Sequence, residues 1–546
     1  MNFILSFIFD SKVDYYMFTI IALLSSVLML FVGYRLLQIL QLTNYKIKAF
    51  FVWFRETKFS YFSRLFMLSF LSIASMLMTN VLLADFFVVK VLSYVSVLFY
   101  FLFCSLFITN LFTVKQKTPL VYTKRIYRLL VVYAIIVCAF TWFVGYLGKN
   151  FVPYLSFGLI GITPIFLPLF VVISFYITYP IERLIANSYI SKAKKKLAFN
   201  KSLKVIGITG SYGKTSVKNI LSTILSEKYK VCKSPLSYNT PLGIAKTILS
   251  NLSFSDEIFI AEMGAKQKGD IKELCNFVNP QIGIITGIGN QHLLTFGSAE
   301  NIISAKGELA VFIEQSGGKI YFNTDNENAS KLASKFKTAI KVSLKSGDLV
   351  ASEIKTGQDG STFNLSYNDK KVKCKTILLG KHNISNILLA SRVALDLGLT
   401  LEDISNGISK LVTIPHRLEI LKSTSTYTII DDAYNGSVEG SSASLEVLSE
   451  FNHNRFIITP GLVELGDEQK KSNYEFGKKM AKVCDFVIIN SQINFEAISS
   501  GLIDAGFDKE KIIQVGNLSQ AVKMLNKHAS PNDVVLFEND LPDNYS

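Results

Sequence analysis

Hydrophobic residues are distributed differently in the two parts of this chain. Up to about residue 180 apolar side chains run almost without interruption, and after residue 200 short apolar runs alternate with mixed stretches. Several segments in the first part approach the ~20 apolar residues that a helix needs to cross a bilayer. The five segments are about 16–40, 65–87, 91–113, 129–148 and 153–178. Because a soluble protein would have to hide all of them from water on every side, the pattern predicts an all-α transmembrane region over residues 1–180.

The second part of the chain has the pattern of an α/β protein. Short apolar runs, typical of buried strands, alternate with segments of helical periodicity. These runs are Val205–Ile208, Glu257–Ala261, Ile282–Thr286, Lys319–Asn323, Thr428–Asp431, Arg455–Thr459, Phe486–Asn490 and Asp533–Phe537. The alternation predicts largely parallel sheets. Residues 181–200 are basic and amphipathic, and we expect them to connect the transmembrane region to this soluble part.

The distribution of positive charge predicts an orientation in the membrane. Lysine and arginine are concentrated between the first and second spans, between the third and fourth, and after the fifth, whereas the other two connections contain only Lys90 and Lys149. The positive-inside rule places the three basic segments in the cytoplasm. We therefore expect a multi-pass protein of the cell (inner or plasma) membrane whose soluble part lies in the cytoplasm.

Charge and cysteine content limit the partners. The formal net charge of +15 could favour nucleic acid, but much of the excess flanks the apolar spans, where topology and anionic lipid account for it. The sequence has no aromatic–basic interleaving and no zinc-ligand spacing, so we expect the lipid bilayer, and no nucleic acid, as a partner. The six cysteines are scattered, which fits a reducing compartment for the soluble part.

The segment Val205–Ser216 has the pattern of a phosphate-binding loop. A buried-strand run is followed by Thr-Gly-Ser-Tyr-Gly-Lys-Thr and then by a helical pattern, a shorter variant of the common P-loop. In this glycine loop, Gly210 and Gly213 let backbone N–H groups point inward, and the helix N-terminus adds its positive dipole end. Lys214 can reach the β- and γ-phosphates, and Thr215 can ligate Mg²⁺. An ordinary strand-to-helix turn with an exposed lysine is the alternative.

Three residues downstream of the glycine loop are candidates for metal or phosphate chemistry. Glu262 ends an apolar run, where a carboxylate can hold a metal ion, although a solvated glutamate would look the same. His292 follows a glycine-rich turn, and a lone histidine is more often structural or exposed than a ligand. Lys306, taken alone, would be interpreted as a solvated charge on a helix.

Four further polar residues could bind a nucleotide. Asn383 and Asn386 lie three positions apart at the start of a helical pattern, where their amides could recognise an adenine edge. Helix capping by Asn383 is an equally good explanation. Arg417 could bind phosphate oxygens, and Asp432, at the end of an apolar run, could bind a ribose hydroxyl. The order of these residues behind a glycine loop is more informative than any one of them.

That order resembles the Mur ligases, the ATP-dependent amide-forming enzymes of cell-wall precursor synthesis, and is most similar to their D-alanyl-D-alanine-adding (MurF) type. The resemblance covers about residues 200–540. Its most specific pieces are Gly207–Ser216, Glu262-Met-Gly264, Gly289-Asn-Gln-His-Leu293, Phe296-Gly-Ser298 with Lys306-Gly-Glu308, His382-Asn383 with Asn386, and Asp431-Asp-Ala-Tyr-Asn435. It implies a P-loop-type central ATP-binding domain over residues 201–418 and a Rossmann-like C-terminal domain over 419–546 that closes on it.

The resemblance also implies a role for each candidate residue. ATP would be bound by Gly210, Ser211, Gly213, Lys214, Thr215, Ser216, Asn383, Asn386, Arg417 and Asp432. Magnesium, as two Mg²⁺ ions, would be held by Thr215, Glu262, His292 and Lys306. Carbamylation would turn the Lys306 cation into a carboxylate-like group that can support a metal. Lys214, Lys306, His292 and Glu262 would be the catalytic residues.

The implied reaction is the addition of D-Ala-D-Ala to UDP-N-acetylmuramoyl tripeptide through an acyl phosphate. The alternative within the class is the addition of an amino acid to a lipid-linked or other envelope acceptor. Family members usually begin with a soluble domain that binds the UDP-sugar, and here the membrane region stands in its place. The segments Ser237–Gly243 and Leu536–Tyr545 also depart from the family pattern, and both could contact the acceptor or the amine.

Two other classes of protein remain as rivals. A transporter or membrane sensor would use ATP for motion, but the apolar spans carry few ionisable residues and so show no ion path. A scaffold would bind nucleotide without turning it over. For the ligase, we expect as partners a cell-wall precursor, an amino acid or dipeptide, the bilayer and other membrane proteins of envelope synthesis.

Overall fold

The described residues of the chain form two compact units. The computed structural model describes residues 11–43, 45–56, 63–70, 95, 98–109, 119–151, 160–235, 237–289, 293–421, 425–434, 436–463 and 465–539. One unit lies within the first 185 residues and the other covers residues 186–540. Apolar helices make up the first unit, and sheets flanked by helices make up the second.

The first unit is built from apolar helices. They are α1 (Ser11–Val32), α2 (Tyr34–Leu42), α3 (Ile47–Glu56), α4 (Lys124–Phe151) and α5 (Thr163–Phe199). Three helical stretches of the described chain are long and apolar enough to cross a membrane, namely Thr19–Leu42, Lys124–Tyr146 and Thr163–Phe199. They overlap the first, fourth and fifth predicted spans, and the last of them continues well beyond the predicted end at residue 178. Much of the second predicted span, 65–87, and parts of the third, 91–113, lie outside the described residues.

A shared apolar core holds these helices together. The buried Tyr133 of α4 donates a hydrogen bond from its hydroxyl to the carbonyl of Met29 in α1, at 3.3 Å. Gly33 permits this approach, because a Cβ there would lie 1.9 Å from the Tyr133 hydroxyl. Arg128 of α4 pairs with Glu182 of α5 at 2.6 Å. Many large apolar side chains on the outer faces of α1, α4 and α5 remain exposed, as is typical of helices that are apolar all round.

The second unit contains a six-stranded parallel sheet. Its strands are β1 (Lys204–Thr209), β2 (Val231–Lys233), β3 (Ile258–Glu262), β4 (Ile282–Ile285), β5 (Lys319–Asn323) and β6 (Ala339–Val342). The order across the sheet is β2-β3-β1-β4-β5-β6, with every neighbouring pair parallel. Strands β2 and β3 lie on one side of β1, and strands β4, β5 and β6 lie on its other side. In such sheets a ligand crevice is expected at the carboxyl ends of the strands where the order reverses, here beside β1.

Helices cover both faces of this sheet. They are α6 (Lys214–Leu225), α7 (Pro241–Ser250), α8 (Asp270–Val278), α9 (Leu293–Phe296), α10 (Ala299–Gln315), α11 (Glu327–Ala333), α12 (Lys381–Asp396) and α13 (Leu401–Ser409). Because successive residues of a strand point to opposite faces, β1 contributes to two cores. Ile206 and Ile208 pack with α6 and α12, and Val205 packs with α7, α8 and α10.

A three-stranded antiparallel sheet precedes α12. It contains β7 (Leu349–Gly357), β8 (Gly360–Tyr367) and β9 (Lys370–Thr376), in the order β7-β8-β9. One face buries alternate residues of each strand, among them Phe363 and Cys374, in the same core as α6 and α12. The sequence did not predict this sheet.

A second six-stranded sheet forms the C-terminal part of the unit. Its strands are β10 (Glu419–Leu421), β11 (Thr428–Asp432), β12 (Arg455–Thr459), β13 (Phe486–Ile489), β14 (Ile512–Gln514) and β15 (Val534–Glu538), and its helices are α14 (Val438–Ser449), α15 (Gln469–Met480), α16 (Phe495–Asp504) and α17 (Leu518–His528). The order is β10-β11-β15-β12-β13-β14, and the β10–β11 pair is antiparallel while the others are parallel. The predicted α/β architecture is confirmed, and all eight predicted strands overlap observed ones.

Candidate active site

The glycine loop between β1 and α6 curls against the end of β4. Gly213, the residue before α6, has a φ of 79°, which side-chain-bearing residues rarely adopt. A Cβ at Gly210 would lie 2.0 Å from the hydroxyl of Thr286, so only glycine fits there. That hydroxyl donates a hydrogen bond to the carbonyl of Tyr212 at 2.5 Å. These contacts fix the loop conformation at the crevice beside β1.

Glu262, at the end of β3, is the centre of a charged cluster beside the glycine loop. Its Oε2 accepts hydrogen bonds from Thr215 Oγ1 at 3.0 Å and from Lys218 Nζ at 2.9 Å, and its Oε1 accepts one from Asn239 Nδ2 at 3.3 Å. Burial acts to raise the pKa of Glu262, but the charges of Lys218 and Lys214 outweigh it and hold the pKa below its ordinary value. An ionised carboxylate beside the Thr215 hydroxyl supplies the oxygen donors that Mg²⁺ prefers.

Lys214 opens α6 and folds back over the glycine loop. Its Nζ donates hydrogen bonds to the carbonyls of Gly210 at 2.8 Å and of Ser211 at 3.0 Å. Burial lowers the pKa of Lys214 to about 8, with Arg417 adding to the effect and Glu262 opposing it. The ammonium thus lies at the loop, where it can offset the charge of a phosphate. Ser216, the next loop residue in the predicted set, is half-buried in the first turn of α6.

Lys306 of α10 is a buried amine. Its residue surface is 3% exposed, and its Nζ lies 5.9 Å from the centroid of the Phe296 ring. Burial and, to a smaller extent, the charge of Lys214 lower the pKa of Lys306 to about 7, although Asp270 and Glu308 oppose the shift. A substantial fraction of this amine is uncharged at neutral pH, and the uncharged amine is the form that reacts with CO₂.

The two asparagines predicted to lie near adenine make different contacts. Asn386 is 7% exposed, and its Oδ1 is 3.3 Å from the position that a Cβ at Gly213 would take, so it reaches the glycine loop. Asn383 donates from Nδ2 to the carbonyl of Leu379 at 2.9 Å. The alternative that Asn383 caps the helix is wrong, because the cap position of α12 is Gly380 and no side chain caps it.

Arg417 lies in a strained turn between the two six-stranded sheets. Its neighbours His416 and Leu418 have φ values of 61° and 48°, a region that non-glycine residues rarely adopt and that is common at functional sites. The guanidinium of Arg417 is 5.3 Å from the ring centroid of Tyr434. Asp432 is 2% exposed, and its Oδ1 accepts a hydrogen bond from the Leu418 N–H at 3.2 Å. The buried Asp432 carboxylate therefore holds the turn that carries Arg417.

One predicted ligand cannot be placed. His292 lies outside the described residues, as does the preceding pair Asn290 and Gln291. Within the described ranges, no group of three or more His, Cys, Asp or Glu side chains could hold a metal ion. The described oxygen donors fit a metal that also binds phosphate oxygens, because Thr215 and Glu262 converge at the loop and leave the remaining ligands to a nucleotide.

Two residues of the site were missed by sequence reasoning. Lys218 is one turn after Lys214 on α6 and lies among apolar residues, which is a usable signal for a buried charge. Glu439, in the first turn of α14, packs against the central domain, because a Cβ at Gly289 would be 2.5 Å from its carboxylate. Its Oε2 is buried and has no hydrogen-bond partner among the described residues, and burial raises its pKa. Burial and the charge of Glu439 also raise the pKa of Tyr212 to about 12.

Family models match most of the first six-stranded sheet and all of the second. The Mur ligase middle domain matches residues 208–394, which include the glycine loop, Glu262 and Lys306, and the Mur ligase glutamate ligase domain matches residues 416–538, which include Asp432. Together the two matches cover more than half of the chain. The fold is that of the ATP-dependent Mur ligases, and the chain belongs to the Mur ligase family.

Individual relatives share one name. The UDP-N-acetylmuramoyl-tripeptide–D-alanyl-D-alanine ligase of Bacillus subtilis is 28% identical over 338 residues, which are 61% of this chain and 72% of the relative. The enzyme of that name from Escherichia coli is 28% identical over 316 residues, 57% of this chain and 70% of the relative. The MurF ligase of Thermotoga maritima, solved in complex with ADP, is 27% identical with a TM-score of 0.58 and matches 65% of this chain and 80% of that one. The resemblance to the MurF type and the prediction of an ATP-dependent ligase are confirmed.

Proposed function

We propose that this chain is a membrane-anchored ligase that adds D-alanyl-D-alanine to UDP-N-acetylmuramoyl tripeptide at the expense of ATP. The observation that carries the proposal is the contact of Lys214, Thr215 and Glu262 at one glycine loop, in a chain whose relatives bear the name of that reaction. Lys306 is a buried amine whose pKa is lowered in part by the charge of Lys214. For the soluble part we propose the two domains predicted from the sequence. They are a P-loop-type central domain over residues 201–418 and a Rossmann-like C-terminal domain over residues 419–546.

In the first step, a carboxylate oxygen of the acceptor attacks the γ-phosphorus of ATP. The bond from the γ-phosphorus to the β–γ bridging oxygen breaks, ADP leaves and an acyl phosphate forms. Negative charge accumulates on the phosphoryl oxygens. Lys214 lies at the glycine loop and Arg417 is near enough to lower the pKa of Lys214, so the two cations would offset that charge. Asn386 beside Gly213, with Asn383 and Asp432, would hold the nucleoside end.

Thr215, Glu262, His292 and Lys306 would hold Mg²⁺. Bound there, the metal neutralises phosphate charge and orients the transferring group. The Glu262 carboxylate is already ionised at neutral pH, as a ligand requires. With a pKa of about 7, Lys306 has a substantial uncharged fraction that can react with CO₂. The reaction forms a nitrogen–carbon bond, releases a proton and leaves an anionic carbamate. That group would give the site a further oxygen ligand.

In the second step, the amine of the incoming dipeptide attacks the acyl carbon. The bond from that carbon to the phosphate oxygen breaks, inorganic phosphate leaves and the amine loses a proton. An acyl phosphate is labile in water, so the site has to be closed while it exists. The contact of Glu439, from the C-terminal domain, with the Gly289 turn is one place where the two domains meet over the loop.

We also propose that residues 1–180 anchor the enzyme as a multi-pass protein of the cell membrane. The three long apolar helices support this, as do the basic segments between the predicted spans. An anchored enzyme would act beside the bilayer, together with other membrane proteins of envelope synthesis. The same helices favour a second candidate, in which the ligase acts on a lipid-linked acceptor instead of a UDP-linked one.

Product analysis tests these proposals directly. The full chain, purified in detergent, is supplied with ATP, Mg²⁺, D-Ala-D-Ala and muramoyl tripeptide, linked to UDP in one arm and to lipid diphosphate in the other. Mass spectrometry should show the acceptor gaining one dipeptide in the UDP arm, and a Lys214→Ala variant should yield none. A gain in the lipid arm alone would establish the second candidate. ATP hydrolysis with no gain in either arm would remove the ligase proposal.

A further inference from the structure

The last turns of α5 and the helix α8 enclose a groove in the second unit. Its cavity measures about 410 Å³ and is lined by Asn187 and Lys194 from α5, by Lys272, Asn276 and Phe277 from α8, and by Pro241 at the start of α7. The two lysines are exposed and the Phe277 ring is 5% exposed, so the groove has an apolar base and a polar rim.

The end of α5 is a fixed part of this unit. Ala193 is fully buried in the core that contains Val205 of β1 and Ile244 of α7. Lys196 donates from Nζ to the carbonyl of Leu249 at 3.3 Å. The α5 wall of the groove is therefore held against the central domain by packing and does not depend on a bound ligand.

The groove adjoins the candidate active site at two places. Pro241 is two residues from Asn239, whose amide donates to Glu262, and two extended residues span at most roughly 7 Å. At the other end, the N–H of Gly269 donates to Glu308 at 2.6 Å, and Glu308 follows Lys306 by two residues on α10. The lining of the groove is thus linked to two segments that carry residues of the candidate active site.

The groove's chemistry suits a sugar diphosphate. Lys194 and Lys272 can each donate to phosphate oxygens, and the side-chain amides of Asn187 and Asn276 can bind sugar hydroxyls. Glu273 lies on the α8 wall and reduces the net charge of the lining to +1.

We propose that this groove binds the glycosyl diphosphate of the acceptor and directs its peptide to the glycine loop. The inference rests on the proposed ligase function, because it assigns the acceptor site of that enzyme. Both a UDP-linked and a lipid-linked muramoyl peptide carry this diphosphate. In an extended tripeptide each residue spans up to roughly 3.5 Å, so the peptide of the acceptor would extend roughly 10 Å beyond its diphosphate.

Charge-reversal variants test the assignment in the full chain. Binding of UDP-N-acetylmuramoyl tripeptide and of its lipid-diphosphate counterpart is measured without ATP, and the KM values of acceptor and ATP are measured with it. Lys194→Glu and Lys272→Glu should each weaken acceptor binding at least about tenfold, and Glu273→Gln should strengthen it, with the KM of ATP unchanged. The matched controls are Lys195→Glu and Lys268→Glu, which reverse exposed charges next to the groove but outside its lining.

The outcomes separate the groove from the ligase function. If the wild type ligates and all variants bind the acceptor equally well, the groove assignment is wrong and the ligase function stands. If the control variants weaken acceptor binding by the same factor, the effect is due to general surface charge and the groove assignment is wrong. The assignment is also wrong if the wild type binds neither acceptor. Lysine-dependent binding without any ligation would support the groove and contradict the ligase proposal.

Discussion

The ammonium of Lys218 lies 2.9 Å from the carboxylate of Glu262, and each side chain is only 1% exposed. Two buried charges are tolerated in this way only when each compensates the other. The same carboxylate oxygen accepts the hydrogen bond of Thr215, so Lys218 holds Glu262 in the orientation that faces the glycine loop. Lys218 is therefore a positioning residue for the candidate metal site.

Replacing Lys218 with methionine should destabilise the protein strongly. The variant leaves the buried Glu262 carboxylate without its partner, which typically costs about 3–5 kcal/mol of folding free energy. Thermal unfolding of the detergent-solubilised full chain measures the loss. The double variant Lys218→Met with Glu262→Gln should recover most of the stability, because the uncompensated charge is gone, but no ligase activity.

An exposed ion pair provides the control for that experiment. Lys410 and Glu227 approach to 2.8 Å, but the Lys410 side chain is 61% exposed. Lys410→Met should therefore cost less than about 1 kcal/mol. Losses of equal size in the Lys410 and Lys218 variants would show that burial of the Glu262 pair has no energetic consequence.

Replacing Lys306 with alanine should abolish activity while the fold survives. Burial lowers the pKa of Lys306 to about 7. Between this pKa and the ordinary value of 10.5, the unfolded chain holds a proton that the folded chain has lost, so burying the amine opposes folding at neutral pH. The thermal midpoint of Lys306→Ala should therefore fall only by the amount that the loss of the Lys306 packing contacts explains. The rate of ligation should drop by roughly 100-fold or more.

Bicarbonate dependence separates the carbamate role of Lys306 from a structural one. The wild type should lose activity in CO₂-depleted buffer and regain it when bicarbonate is added, and Lys306→Ala should not respond. Lys331→Ala, at a side chain that is 68% exposed, should behave as the wild type. Full activity of Lys306→Ala at ambient bicarbonate would refute the carbamate role.

The strands were the most predictable part of the fold. Lys319–Asn323 and Arg455–Thr459 were predicted with their observed limits, because both are buried runs flanked by turns. The sheet β7-β8-β9 was missed, since only one of its faces is buried and a strand such as Lys370–Thr376 has lysine at four of its seven positions. Its alternation of polar and buried residues is visible only when the partner strands are known.

The site residues were predictable only where a motif marks them. The glycine loop and Glu262 stand at the ends of apolar runs, and parallel strands bring such ends to one edge of a sheet. Glu439 has no such mark, because its contact is with Gly289, which lies 150 positions earlier in the sequence (439 − 289) and in the other domain. From the sequence we expected Asp432 to bind a ribose hydroxyl. The structure shows a contact that the sequence could not predict, in which the Asp432 carboxylate accepts a hydrogen bond from the Leu418 N–H.

Replacing Gly289 with alanine should impair catalysis through the contact between domains. The new Cβ would lie 2.5 Å from both carboxylate oxygens of Glu439, so the Glu439 side chain would have to leave its present position against the turn. We expect kcat/KM for ATP to fall by roughly 10-fold or more, with little change in the thermal midpoint. Adding Glu439→Ala removes the clashing group and should restore part of the activity. A double variant no better than Gly289→Ala would place the defect elsewhere in the turn.

Glu538 should make stability depend on pH. This residue ends β15 and is fully buried, and its Oε2 accepts a hydrogen bond from Thr459 at 2.9 Å. Burial, aided by the nearby charge of Asp432, raises the pKa of Glu538 from 4.5 to about 8. Between pH 4.5 and about pH 8 the folded chain holds a proton on Glu538 that the unfolded chain has lost. Glu538 therefore contributes its full stabilisation below pH 4.5, and this contribution is lost as the pH rises through about 8.

Glu538→Gln removes this titration while keeping the shape of the side chain. The thermal midpoint of the wild type should fall between about pH 5 and about pH 9, and that of Glu538→Gln should fall less, so that the variant is the more stable protein at the higher pH. Glu446→Gln, a substitution at an exposed position of α14, is the control and should follow the wild type. Parallel curves for wild type and Glu538→Gln would mean that the buried carboxyl is already ionised near pH 5, with Thr459 and its other hydrogen-bond donors sufficient to stabilise the charge.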